Sequence, residues 1–174
     1  MLSDSEAKDF LMKMILTGNI KYDNGHLLLM GRKGLLLNSR VLIAVIGYLM
    51  KYDKEALIKA GEESIKPILM DYKERMVSKE KFLELVSNIL KTSGLGDFEF
   101  RFQKDGVIIH SRNSTIPQTY IEMFGKSDEP VCYFSIGAFK AAISFIEGKN
   151  YDCKEVSCIA KGDEMCTFIL NEQI

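Results

Sequence analysis

The residues best suited to chemistry stand near the C-terminus, in CKEVSCIAKGDEMCTF at positions 153–168. This stretch holds three of the four cysteines, Cys153, Cys158 and Cys166, interleaved with Glu155, Asp163 and Glu164. The fourth, Cys132, lies just upstream in EPVCYF. Thiols and carboxylates at this density suit a metal site, a disulfide, or small buried apolar side chains. Compartment weighs on the choice. The N-terminal MLSDSEAKDFLMKMIL lacks a basic segment followed by a continuous apolar block and a small-residue cleavage site, so it reads as a mature helix and a cytoplasmic location is expected. There, clustered cysteines are more often metal ligands or catalytic groups than structural disulfides.

The elements that must position these residues are two strands, KEVSCIA and EMCTFIL, turning through Lys161-Gly162-Asp163. A three-residue loop would set Cys158 directly opposite Cys166, with Cβ atoms roughly 4.5–5.5 Å apart. Two thiolates each about 2.3 Å from one zinc ion fit that separation. Cys132, ahead of the helix that leads into the hairpin, is available as a third ligand, and Glu155 as a fourth. Glu155 and Cys158 are three residues apart and point to opposite faces of a regular strand, so joining them requires a bulge. Cys153 is the spare thiol. Without a CxxC pair, spacing alone leaves Cys158 equally readable as a core residue.

Upstream, the chain reads mainly as helix. Ser3 or Asp4 caps a helix to about Leu16, ended by Gly18. Strands follow in HLLLM and LLLN, after the turn-like DNG. Residues 41–50, VLIAVIGYLM, are apolar on nearly every side and predict a buried helix; Asp53 caps the next, which Pro67 should kink or interrupt. Ser78 caps the clearest amphipathic helix, with Phe82, Leu83, Leu85, Val86, Ile89 and Leu90 on one side and Gly94 as its stop. The period then changes to two: Phe98, Phe100 and Phe102 face one way in DFEFRFQ, and Asp105-Gly106 turns the chain into GVIIHS. A short helix at 118–124 and another at 135–147 precede the final hairpin. The fold class expected is α+β, N-terminal helices packed on an antiparallel sheet with a C-terminal zinc-binding hairpin.

The chain is 174 residues long, 47% hydrophobic and 27% charged, with a net charge of −1. It is expected to form one domain, residues 1–174, with 1–24 as a helical extension. Near-neutral charge argues against a nucleic-acid partner, and the longest apolar run is too short for membrane insertion.

The ending YKEVSCIAKGDEMCTFIL resembles, in its acidic residue, Cys, Ala, Gly-Asp and Cys-x-Phe, the C-terminal signature of the 4-vinyl-reductase domain, and EPVCYFSIGAFKAAISFIEGKNY resembles the segment before it. The phenol-sensing bacterial activators that contain this domain bind zinc through Cys, Glu, Cys and Cys. That resemblance implies structural Zn2+ on Cys132, Glu155, Cys158 and Cys166, whose separations of 23, three and eight residues match. More loosely, GRKGLLLNSRVLIAVIGYLMKYDKEALIKAGEESI is similar to a helix pair of the wider superfamily, which includes trafficking-complex subunits and haem nitric-oxide-binding domains. The phenol sensors continue into an ATPase and a helix-turn-helix module that this sequence does not hold, so a stand-alone domain is expected.

The resemblance also implies an apolar pocket between helices and sheet for a small hydrophobic ligand. Phe100, His110, Tyr120 and Phe124 are the candidate contacts, although a period-two Phe stripe is more often plain core. Three functions follow: a non-catalytic sensor or carrier, acting as a homodimer or through another protein partner; a reductase of a tetrapyrrole vinyl group; or an assembly subunit like the trafficking proteins. Against the reductase, no GxGxxG follows a strand, and the only histidines are His26 and His110. The sensor or carrier is the reading carried forward.

Overall fold

The computed structural model describes residues 3–75 and 78–173. Helix α1 (Asp4–Leu16) begins with a full capping box: Ser3 Oγ accepts the Glu6 N–H, and the Glu6 carboxylate accepts the Ser3 N–H. A three-stranded meander follows, β1 (Ile20–Asp23), β2 (His26–Leu29) and β3 (Arg32–Gly34). Its first turn is Asn24-Gly25, both at positive φ. LLLN, expected as a strand, is not one. Met30 and Gly31 turn the chain early, so β3 starts at Arg32 opposite Leu29. Leu35, Leu36 and Leu37 are left exposed on the way to Asn38, whose side chain caps the next helix.

That helix, α2 (Ser39–Leu49), corrects a second expectation. Ile43, Ile46 and Gly47 are buried, but Val41, Val45 and Tyr48 are 52%, 54% and 65% exposed. The sequence supplies apolar side chains all round the helix, and the described residues supply core on only one side of it. Helix α3 (Lys54–Arg75) is a third correction, because it runs unbroken through Pro67. Asp53 Oδ1 accepts the Ala56 N–H at its start, as expected of the cap. Helix α4 (Lys79–Thr92) starts at Ser78, which accepts the Lys81 N–H, and buries Phe82 and Val86.

The second sheet holds β4 (Asp97–Phe102), β5 (Gly106–Arg112), β6 (Tyr151–Ser157) and β7 (Cys166–Glu172), all antiparallel in the order β4-β5-β7-β6. Helices α5 (Thr115–Phe124) and α6 (Tyr133–Glu147) lie between β5 and β6 in sequence. Phe139 of α6 sits over the sheet, its ring 5.7 Å from Phe98, 6.2 Å from Phe100 and 4.9 Å from Phe168. Edge-to-face contacts of this kind add to the burial of the rings.

Helix α3 covers α6 in turn, and two glycines set how closely. A Cβ at Gly137 would stand 1.8 Å from the Ile58 carbonyl oxygen, and one at Gly61 2.0 Å from that of Phe134. Helices, sheet and α2 share one core that includes Ile43, Ile109, Ile143, Phe168 and Leu170. The architecture is mixed α+β with antiparallel sheets. Among the described residues, no helix is long and apolar enough to cross a membrane.

Candidate metal centre

Burial alternates along β6: Tyr151, Cys153 and Glu155 face the core, while Asp152 and Lys154 face outward. A regular strand would then turn Cys158 away from Glu155. The register of β6 against β7 slips between Glu155 and Ser157, which is the bulge the ligand set requires, and both Glu155 and Cys158 end up buried. The connection is longer than expected. The ladder stops at Ser157 opposite Thr167, and the chain passes through a 3₁₀ turn (Ile159–Lys161) before β7 opens at Cys166. Cys158 is therefore outside the strand, yet it remains extended and its Sγ lies 3.9 Å from Cys166 Sγ.

Cys132 arrives from the other side as the N-cap residue of α6, its Sγ 3.9 Å from that of Cys166. Its backbone N–H donates to Glu155 Oε2 at 3.1 Å, fixing the carboxylate toward the thiols. One ligand atom from each of Cys132, Glu155, Cys158 and Cys166 lies within 4.8 Å of every other. All four residues are at most 3% exposed.

Three backbone contacts hold the loop. The Cys158 N–H donates to Asp163 Oδ2 at 2.7 Å, the Ile159 N–H points at Cys166 Sγ at 3.4 Å, and the Ser127 N–H reaches the Ala160 carbonyl at 2.9 Å. Asp163 was visible in the sequence only as one of several acids. Its signal is the Gly162-Asp163 pair: Gly162 takes φ 103°, and the following Asp folds back on the backbone.

Charge in this cluster is unbalanced without a cation. Burial, then the neighbouring Cys158, pushes the Glu155 carboxyl up to about 8. Hydrogen bonds from Cys132 and Cys166 favour the Cys158 thiolate and drive its pKa far down, while the bond to Cys158 drives Cys132 up. A bound divalent ion reverses this order, because it favours every donor in its anionic form. The residues fit such an ion. Glu155 Oε1 is buried without a hydrogen-bond partner. A tetrahedron of sulfurs about 2.3 Å from zinc has edges of about 3.8 Å, close to both sulfur separations. Cys153 is not part of the group; it is buried along β6, where burial, then Asp152 and Glu155, push its thiol up to about 12.

The four expected pocket residues do not converge. Phe100 pairs with Ile109 across β4 and β5, so His110, one residue on, points to the opposite face of the sheet. Its Nδ1 lies 3.3 Å from Thr167 Oγ1 there, and His110 is withdrawn as a contact of a helix-side cavity. Phe100 instead borders the core and a groove of about 370 Å³ between α4 and β4, with Leu83, Glu84, Phe98 and Phe102. Tyr120 and Phe124 stack with ring centroids 5.1 Å apart; Phe124 lies against Gly47 of α2, and Tyr120 against the main core.

An α+β fold with a buried three-cysteine, one-glutamate cluster between a bulged hairpin and a helix start defines the class. Residues 118–172, which contain all four candidate ligands, match the 4-vinyl-reductase domain family, so the resemblance read from the sequence stands. The phenol regulator MopR of Acinetobacter guillouiae is 35% identical over 57 residues, which are 33% of this chain and 10% of that protein's length.

Among solved structures, the phenol-responsive sensory domain of the transcription activator PoxR aligns over 98% of this chain and 92% of its own, with a TM-score of 0.71 and 18% identity. A vinyl-4-reductase family protein from Methanocaldococcus jannaschii aligns over 100% and 99%, with a TM-score of 0.60 and 15% identity. At these identities the likeness is one of fold.

Proposed function

We propose that this protein is a non-catalytic sensor or carrier of a small hydrophobic molecule, its C-terminal part held by a structural zinc ion on Cys132, Glu155, Cys158 and Cys166. The observation that carries the zinc is the meeting of four buried donors within 4.8 Å, one of them a carboxylate oxygen with no other partner. Four protein ligands leave no open position for water or substrate, so the ion closes a loop and activates nothing. It would tie the β6–β7 connection to the start of α6, and binding it would contribute directly to folding.

Support for the ligand comes from the relatives: MopR is a phenol regulator, and the PoxR domain is phenol-responsive. For this chain we take the ligand to be a small aromatic or similarly apolar molecule. It would lie beside α5, where Tyr120 and Met123 border the core. Residues 1–174 would act as one domain with 1–24 as an extension, and as a homodimer through the outward face of α2, where Val41, Val45 and Tyr48 are exposed. Native mass spectrometry of protein from its own host, followed by titration with phenol, tests the reading. A bound zinc together with a co-purifying or titratable aromatic molecule is the expected result. Binding should weaken in Tyr120→Ala. Saturation with neither phenol nor any co-purified metabolite would count against the sensor.

A further inference from the structure

We infer that the free edge of β4 is a second contact surface, fitted to the same edge of another copy of this chain in antiparallel pairing about Phe100. This goes beyond the proposed α2 contact and depends on neither ligand nor metal. Within one protomer β4 ends the sheet, bonded to β5 on one side only. The Phe98 carbonyl points outward, where it accepts the Ser87 hydroxyl, and the Gln103 N–H points inward to the Gly106 carbonyl. Alternation along an antiparallel strand then turns the N–H and C=O groups of Phe100 and Phe102 outward as well. Beside this edge runs the 370 Å³ groove between α4 and β4, and Phe102 at its open end is 38% exposed. Such an edge is a template for another strand.

Charge chooses the strand and its register. The edge reads Asp97-Phe98-Glu99-Phe100-Arg101-Phe102. Two copies centred on Phe100 place Phe98 opposite the second copy's Phe102 and Glu99 opposite its Arg101, twice by symmetry. A shift of the centre by one residue toward the N-terminus faces Glu99 with Glu99; one residue the other way faces Arg101 with Arg101. Like charges directly opposite are destabilising and opposite charges stabilising, so the Phe100-centred register is favoured over both. It also continues the Phe98, Phe100, Phe102 stripe across the junction on the helix side, covering Phe102. In one protomer Arg101 Nε and Glu99 Oε1 meet at 2.7 Å, so both charges are already held on the same face. A chain with two twofold contacts assembles beyond a dimer.

Sedimentation velocity on the full chain and three variants tests this. Glu99→Arg and Arg101→Glu should each weaken this contact roughly tenfold or more, because each turns two attractive pairs into repulsive ones. An equimolar mixture of the two variants should recover the wild-type mass, since arginines on one chain then face glutamates on the other. Val45→Glu reads the α2 contact separately, and melting curves check that each variant is folded. Recovery on mixing supports the edge contact. Variants that keep the wild-type mass, a mixture that fails to recover it, or a wild-type dimer dissociated only by Val45→Glu would overturn it and leave the α2 dimer standing. A monomeric wild type overturns both. Recovery of the assembly by an unrelated basic peptide in place of the mixed variants would show an occupant other than this chain, and would also overturn it.

Discussion

Glu155 Oε2 accepts the backbone N–H of Cys132 at 3.1 Å, linking a strand bulge to the first turn of a helix 23 residues away in sequence. The partner oxygen, Oε1, is left buried and unbonded beside three sulfurs. Glu155→Gln keeps the shape and the bond to Cys132 but removes the anionic donor. Its affinity for zinc, measured by competition with a chromogenic chelator, should fall at least about tenfold, the scale on which even outer partners of a metal affect affinity. Unchanged affinity would remove Glu155 from the ligand set.

The close crossing of α3 and α6 gives a prediction independent of metal. Gly137→Ala places a methyl 1.8 Å from the Ile58 carbonyl, which only helix separation can relieve. The cost should be about 3 kcal/mol or more in chemical denaturation. Gly148→Ala at the end of α6 has open space and only a left-handed φ of 66° to strain it, so about 1 kcal/mol is expected. Equal losses for the two would mean the helices yield easily.

Metal removal should act on stability rather than on any reaction. Chelator treatment should lower the melting temperature and expose Cys158 and Cys166 to a thiol reagent. Mild acid should do the same, because protons compete with the ion for three thiolates. Burial of all three sulfurs predicts little labelling before chelation. Full labelling of the untreated protein would show that nothing protects them.

The outward face of α2 should bury itself in a homodimer. Val45→Glu introduces a charge on a side chain 54% exposed in the protomer, so folding should be nearly unaffected while the assembly dissociates. Loss of fold in a monomeric variant would instead place Val45 in a core.

What the sequence made legible followed from local physics. Ser3, Ser78 and Asp53 announced their helices because a short polar side chain satisfies exposed N–H groups. The Phe98–Phe102 alternation and the Asp105-Gly106 turn announced the β4–β5 hairpin, because side-chain period and turn chemistry are local too. Where tertiary context decided, local rules failed. Pro67 stays inside a helix, and the Leu run at 35–37 becomes a connection because Met30 and Gly31 turn first. The helix at 41–50 looked fully buried because composition does not say which faces a fold will cover.

The ligand set was accessible because a carboxylate and a thiol on opposite strand faces demanded a bulge, which lies between Glu155 and Ser157. Its scaffold, the 3₁₀ turn and Asp163, was not accessible, because a three-residue hairpin satisfied the same spacing. His110 was misplaced because the facing of one strand residue depends on its cross-strand register with β4.

The most direct test is zinc content by elemental mass spectrometry on protein purified without added metal. One zinc per chain is predicted for the wild type and for Cys153→Ser, and none for Cys166→Ser. A metal-free wild type, or full zinc in Cys166→Ser, would contradict the account.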